Sequence, residues 1–154
     1  MGRSFRDNAS FGKRMEYKII GDMLMEGLDC YVPLVDDHGV DLVIKKKDGT
    51  FIEVQIKASG KDVKEGDAGL FSNIVHERTE NYYFIFVSER MNTKWILSSD
   101  EFIKNCNQNK SGKNAGKRSI KLNSYKFYED TGKKEERTKP EFKKFEDDNY
   151  SIFK

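Results

Sequence analysis

The stretch Asp41-Leu42-Val43-Ile44-Lys45-Lys46 is followed, after Lys47-Asp48-Gly49-Thr50, by Phe51-Ile52-Glu53-Val54-Gln55-Ile56-Lys57. Side chains alternate faces along a strand. Glu53, Gln55 and Lys57 therefore share one face of the second stretch, and Ile52, Val54 and Ile56 share the other. Two carboxylates beside a lysine suit phosphodiester hydrolysis. Hard oxygen ligands hold Mg²⁺ or Mn²⁺, which usually keeps several waters. Such a metal lowers the pKa of a bound water and offsets charge in the transition state, and an ammonium polarises the attacking water or steadies a phosphate oxygen. The same residues also read as an exposed strand face with a Lys–Glu cross-strand pair, worth about 0.2–1 kcal/mol.

Register decides whether Asp41 joins that face. A two-residue turn at Asp48-Gly49 puts Asp41 opposite Ile56 and Leu42 opposite Gln55, mixing polar and apolar residues on both faces. A three-residue loop, Lys47-Asp48-Gly49, with Gly49 left-handed in a G1 bulge, pairs Lys46 with Thr50 instead. Leu42 then faces Val54, Ile44 faces Ile52, Val43 faces Glu53 and Asp41 faces Gln55. A one-residue slip flips every side chain, so the apolar pattern selects the second register. That register gathers Asp41, Glu53, Gln55 and Lys57 together.

Around this hairpin the periodicity predicts further elements. Phe11, Met15, Ile19, Ile20, Met23, Leu24 and Leu28 recur at helical steps, with Gly27 as an end signal, and predict a helix over 11–28. Residues 1–10 are expected to be flexible. Residues 59–73, with Gly60, Gly66 and Gly69, read as a long loop, and Ser72 to Glu80 as a segment with a short helix. Tyr82 to Val87 is an apolar run expected as a buried central strand, and Lys94 to Leu97 as the next strand. Ser98 to Glu101 fits a capping box opening a helix through about residue 107. Residues 108–118 read as a flexible basic loop, Ser119 to Leu122 as a short strand, and Lys139-Pro140-Glu141 as the start of a last helix. One α/β domain over 11–154 fits, with a mixed central sheet flanked by helices.

The motifs and their order resemble the PD-(D/E)XK nuclease superfamily, which includes restriction endonucleases, Holliday-junction resolvases and Mrr-type enzymes. In that fold a helix carrying a glutamate precedes a hairpin with Asp on one strand and (D/E)-x-K on the next. Here Glu16 lies on the helix, Asp41 on the first strand, and Gln55-Ile56-Lys57 at the (D/E)-x-K position, over roughly residues 11–99. The resemblance implies a restriction-endonuclease-like three-layer core and a Mg²⁺- or Mn²⁺-dependent endonuclease acting on nucleic acid, with DNA the expected substrate. It implies Glu16, Asp41, Glu53 and Gln55 around the metal and Lys57 on the attacking water. The sequence departs from the pattern: Gln55 replaces the acid, as in Mrr-like Q-x-K members, and Val40 stands where a proline precedes the Asp. Glu53 can supply the missing carboxylate, though it lies about 7 Å along the strand from residue 55. A degenerate module of the same fold, binding nucleic acid or protein without cutting, is the alternative.

Glu16 also reads as a boundary residue paired with Lys13 or Lys18, and His38 as a turn histidine or a phosphate contact. Asp36 and Asp37 read as turn residues, Tyr82 and Tyr83 as packing residues, and His76 carries no role. No acidic residue occurs from Phe102 to Tyr128, against Lys104, Lys110, Lys113, Lys117, Arg118, Lys121 and Lys126. That block reads as a phosphate-facing surface or a solvated loop. Lys113, Lys117 and Arg118, with Lys13, His38, Lys61 and Lys64 nearer the hairpin, are the candidate nucleic-acid contacts.

Composition narrows the classes. The chain has 154 residues, 35% charged and 36% hydrophobic, with 12% aromatic and a net charge of +2. The aromatic content opposes wholesale disorder. No apolar run approaches the roughly 18–20 residues of a membrane span, and the first residues lack a signal peptide's apolar stretch. Two cysteines, Cys30 and Cys106, allow at most one bridge and are expected as free thiols in a cytoplasmic protein. Walker, CxxC, HExxH and nucleophile-elbow motifs do not occur. A homodimer with two sites is the simplest device for cutting both strands.

Overall fold

The computed structural model describes residues 8–35 and 39–154. Helix α1 (Asn8–Met25) opens three residues before the expected start, so 8–10 belong to it, and it ends before Leu28. Its end is a Schellman motif: Gly27 takes φ 83°, Gly27 N–H donates to Leu24 O and Leu28 N–H to Met23 O, both at 3.0 Å. Leu28 then packs on the core beside Met23 instead of continuing the helix.

Strands β1 (Asp29–Tyr31), β2 (Leu42–Lys45), β3 (Phe51–Ser59), β5 (Tyr82–Ser88) and β6 (Thr93–Ser98) form the central sheet, in the order β1-β2-β3-β5-β6. The sheet is mixed: β3 and β5 run parallel and the other neighbours antiparallel. The β2–β3 hairpin takes the register that the apolar pattern requires. Lys46 N–H donates to Thr50 O at 2.8 Å, Gly49 sits at φ 88°, and Leu42 and Ile44 pair with Val54 and Ile52. Asp48 Oδ1 accepts the Thr50 N–H at 2.8 Å and closes the turn; those hydrogen bonds hold the Asp48 carboxyl below its usual pKa.

One face of this sheet carries Leu42, Ile44, Ile52, Val54 and Ile56 against Ile19, Ile20 and Met23 of α1, with Tyr150 and Phe153 closing one end. The other face carries Tyr82, Phe84, Phe86, Trp95 and Leu97. It is covered by helix α2 (Ser99–Asn105), a 3-10 helix (Pro140–Phe145) and a small sheet of β4 (Leu70–Ile74), β8 (Arg118–Lys121) and β7 (Asn107–Gln108). The capping box of α2 forms as expected: Glu101 N–H donates to Ser98 Oγ at 3.1 Å and Ser98 N–H to Glu101 Oε1 at 2.9 Å.

Three expected segments are corrected. The 59–73 loop ends in β4, and no helix forms in 72–80. A bulge between Phe71 and Ile74, with Asn73 at φ 58°, puts both apolar side chains into the core and hides the two-residue alternation. The 108–118 segment is a hairpin tip between β7 and β8, closed by Asn109 N–H to Lys117 O at 2.9 Å and Gly116 N–H to Asn109 O at 2.8 Å. A ribbon of β9 (Asn123–Tyr128) and β10 (Lys133–Thr138) was not anticipated, because its charged sequence carries little apolar alternation. Among the described residues no helix is long and apolar enough to cross a membrane.

Candidate active site

Parallel pairing sets Glu53 beside Tyr82, Gln55 beside Phe84 and Lys57 beside Phe86. The chemistry-bearing face of β3 is therefore the face opposite α1. Backbone supply explains how Asp41 reaches it. Along β3, alternate amides point to β5 and to β2, and β2 ends at Leu42. Ile56 N–H points toward β2 beyond that end. Asp41 Oδ2 accepts it at 2.7 Å, while Asp41 N–H donates to Val54 O at 2.9 Å. The carboxylate thus replaces a missing strand acceptor, and its charge-assisted bond to the amide is a strong one.

Gln55 meets two groups that its own strand does not supply. The Tyr82 hydroxyl donates to Gly39 O and stands 3.0 Å from Gln55 Oε1. Gly39 has φ 67°, and a Cβ there would lie 3.4–3.5 Å from the Gln55 amide and the Tyr82 hydroxyl. The positive φ favours glycine, while a Cβ at that distance would make only ordinary van der Waals contact. Burial first, and then the Asp41 and Glu53 carboxylates, push the Tyr82 phenol well above its ordinary pKa. Behind Tyr82 lies His76, ring centroids 4.7 Å apart, with His76 Nε2 2.7 Å from the buried Ser99 Oγ.

Lys57 lines a cleft of about 470 Å³ with Phe11, Ser59, Lys61, Val63 and Phe71. The loop forming its far wall is tied from behind. Arg90 donates to the carbonyls of Lys61, Val63 and Lys64 at 3.0, 2.6 and 2.9 Å. Its Nε stands 2.9 Å from Glu136 Oε1, close enough for an ion pair though not aligned for a hydrogen bond. Glu136 Oε2 in turn accepts the Ala68 N–H at 3.0 Å. Asn123, fully buried, accepts from Gly69 N–H and donates to Gly66 O, each at 3.0 Å.

Glu53 shares this face of β3, beside Tyr82, but is exposed and pairs across the hairpin with Val43. Glu16 pairs with Lys13 at 3.3 Å, on the helix that packs against the opposite sheet face. Among the described residues no three His, Cys, Asp or Glu come close enough to hold a metal ion, so Glu16, Asp41 and Glu53 do not form one carboxylate cluster. His38 lies outside the described residues. In the basic block Arg118 turns inward, donating to His76 O at 3.0 Å and contacting Cys106 Sγ at 3.6 Å. Lys117 bonds Asn114 Oδ1 at 3.2 Å, and Lys113 is exposed. Tyr82, on β5, and Arg90, just after that strand, were missed because the parallel β3–β5 pairing that brings them in leaves no local mark, and Gly39 shows its part only through its contact with Tyr82.

No family model matches the chain, and no curated protein matches it in sequence. Among solved structures it is similar to a bacterial homing endonuclease, I-Ssp6803I, with a TM-score of 0.58 over 92% of this chain and 89% of that one, at 20% identity. The mixed α/β fold is therefore one that an endonuclease also uses.

Proposed function

We infer that the protein is a metal-dependent nuclease cutting DNA, a PD-(D/E)XK enzyme in which Gln55 takes the acidic position. The observation that carries this reading is the Asp41–Gln55–Lys57 arrangement. A carboxylate fixed by Ile56 N–H faces the strand that holds an amide and, two residues on, a lysine at a cleft. A carboxylate and an amide oxygen are hard donors and suit Mg²⁺ or Mn²⁺, which needs only one or two carboxylates when waters and phosphate complete its shell. Bound there, the ion would supply Lewis acidity and an acidified water. The protein's own contributions follow from position. Asp41 keeps its orientation through Ile56 N–H, Lys57 directs its ammonium to the water or the scissile phosphate, and the attacking oxygen bonds to phosphorus as the P–O ester bond breaks. Lys61 and Lys64 flank the cleft as phosphate contacts. Cleavage of both strands would use a homodimer, and a cytoplasmic setting matches the two free cysteines.

Gln55, which brings no charge to the position where the motif has an acid, favours a second reading, a non-cutting module of the same fold. One assay separates them: Mg²⁺ or Mn²⁺ titrated against duplex, single-stranded and branched DNA. Cleavage that is lost in Gln55→Ala but kept in Glu53→Gln supports the Gln55 site. Severe loss in Glu53→Gln moves the second ligand to Glu53. DNA binding without metal uptake or cleavage sustains the module.

A further inference from the structure

A phenol has a single proton to give. The Tyr82 hydroxyl lies within hydrogen-bond reach of two groups, Gly39 O and the Gln55 side-chain amide. A main-chain carbonyl can only accept, so the Gly39 contact consumes the Tyr82 proton. Toward Gln55 the phenol then offers only lone pairs. An amide oxygen 3.0 Å away would set acceptor against acceptor with no hydrogen between them. The two ends of a glutamine amide are distinguished by their partners, and here only the NH₂ end completes the set.

We propose that Gln55 donates from Nε2 to the Tyr82 hydroxyl, and that Tyr82 is thereby the positioning residue that fixes which end of the amide meets the phenol and leaves the Gln55 carbonyl oxygen free to ligate the cation. The role given to that oxygen rests on the nuclease reading above; the amide orientation does not. Tyr82 is suited to the task. It is 5% exposed, with its ring against His76 and Phe84 at centroid distances of 4.7 and 5.3 Å, so the hydroxyl cannot swing to water. Gly39, at φ 67°, aims its carbonyl at the phenol. A carboxylate at position 55 has two equivalent oxygens and needs no such steering. A glutamine has one oxygen and does need it, so Tyr82 compensates for the departure from (D/E)-x-K.

The test has two arms. In the metal-free wild-type protein, ¹⁵N-glutamine labelling, with Gln55→Glu to assign the resonance, should show NOEs from the Gln55 NH₂ protons to the Tyr82 ring. No such NOEs, with the Tyr82 hydroxyl proton instead directed at Gln55, overturns the proposal without any metal being involved. In the second arm Mn²⁺ affinity is measured by calorimetry. Tyr82→Phe should weaken binding about tenfold, the scale seen when a group that orients a metal ligand is removed, in the Gln55 protein and leave it unchanged in a Gln55→Glu background. Equal losses in both backgrounds would make Tyr82 merely structural and overturn its positioning role. A wild-type protein that binds no Mn²⁺ refutes the metal-site reading and with it the steering role, while the NOEs still decide the amide orientation.

Discussion

The two faces of the central sheet are built by different means. The α1 face is almost wholly aliphatic and drawn mostly from residues 19–56, with neighbours in sequence becoming neighbours in space. The opposite face is aromatic, assembled from residues 71–145, and threaded with polar pairs: Tyr82 with Gln55, His76 with Ser99, Arg90 with Glu136. A dry aliphatic layer needs only area and shape. A face that must hold polar groups in fixed directions needs partners brought from far along the chain, since each buried donor or acceptor left unpaired costs about 1–3 kcal/mol. The candidate site lies on the second face, where Tyr82, His76 and Asn123 have such partners.

Substitutions on the two faces should separate accordingly. Phe84→Ala removes a ring that touches Tyr82, His76, Phe86 and Phe102. It should cost about 3–5 kcal/mol of stability and also reduce cleavage by the molecules that remain folded. Ile44→Ala should cost about 2–5 kcal/mol in urea unfolding but leave cleavage per folded molecule unchanged. If Ile44→Ala impaired cleavage as much as Phe84→Ala, the division between the faces would be wrong.

Lys57→Ala and Asp41→Asn invert that outcome. Each should lower single-turnover cleavage by about 10²–10³, with the urea midpoint nearly unmoved. Asparagine keeps an acceptor for Ile56 N–H, so a large stability loss in Asp41→Asn would mean that the carboxylate serves the fold rather than the chemistry.

A smaller effect comes from pH. Burial, and after it the Arg118 cation, lower the His76 pKa, with Glu77 opposing. The unfolded chain then takes up a proton near its ordinary value of about 6.5 that the folded chain accepts only at lower pH. The stability tied to this group is complete above about pH 6.5 and declines as pH falls from there toward the folded value. Urea midpoints from pH 7.5 down to 5 should show this decline in the wild type and a shallower one in His76→Gln. Identical slopes would mean that His76 protonates in the folded state as readily as in the unfolded one.

The smallest effect should be at the hairpin tip. Replacing Lys113 and Lys117 by Ala should flatten the salt dependence of DNA binding, the slope falling by about 1 for every phosphate that these lysines neutralise. An unchanged slope would place the phosphate-binding cations at Lys61 and Lys64 instead. Arg118 is left out because its guanidinium is spent on His76 O and Cys106 Sγ.

The aliphatic face was legible in the sequence because its signals are local. Ile19, Ile20 and Met23 repeat at helical spacing, and Leu42, Ile44, Ile52 and Val54 admit one register that keeps them together. The observed register runs only from Leu42–Val54 to Lys45–Phe51, and Asp41, one residue beyond it, meets Val54 O and Ile56 N–H. What was not legible depends on long-range pairing or on broken alternation. The Phe71–Ile74 bulge erased the strand signal of β4. Tyr82 could be read only as an apolar strand residue until the parallel neighbour was known. Glu16 had two readings in the sequence, a ligand by motif order and a boundary residue paired with Lys13 or Lys18, and the structure shows the Lys13 pair.

The Arg90 clasp also bears on how the molecule meets a protease. Trypsin favours the bonds after Lys61 and Lys64, both exposed, but it must first draw several residues into an extended strand across its own cleft. The carbonyls of Lys61, Val63 and Lys64 all end on one guanidinium, so that unravelling breaks three hydrogen bonds at once and uncouples Glu136 as well. A limited digest should therefore spare this charged, lysine-containing loop, whose composition alone marks it as an easy target, until the clasp itself is cut away.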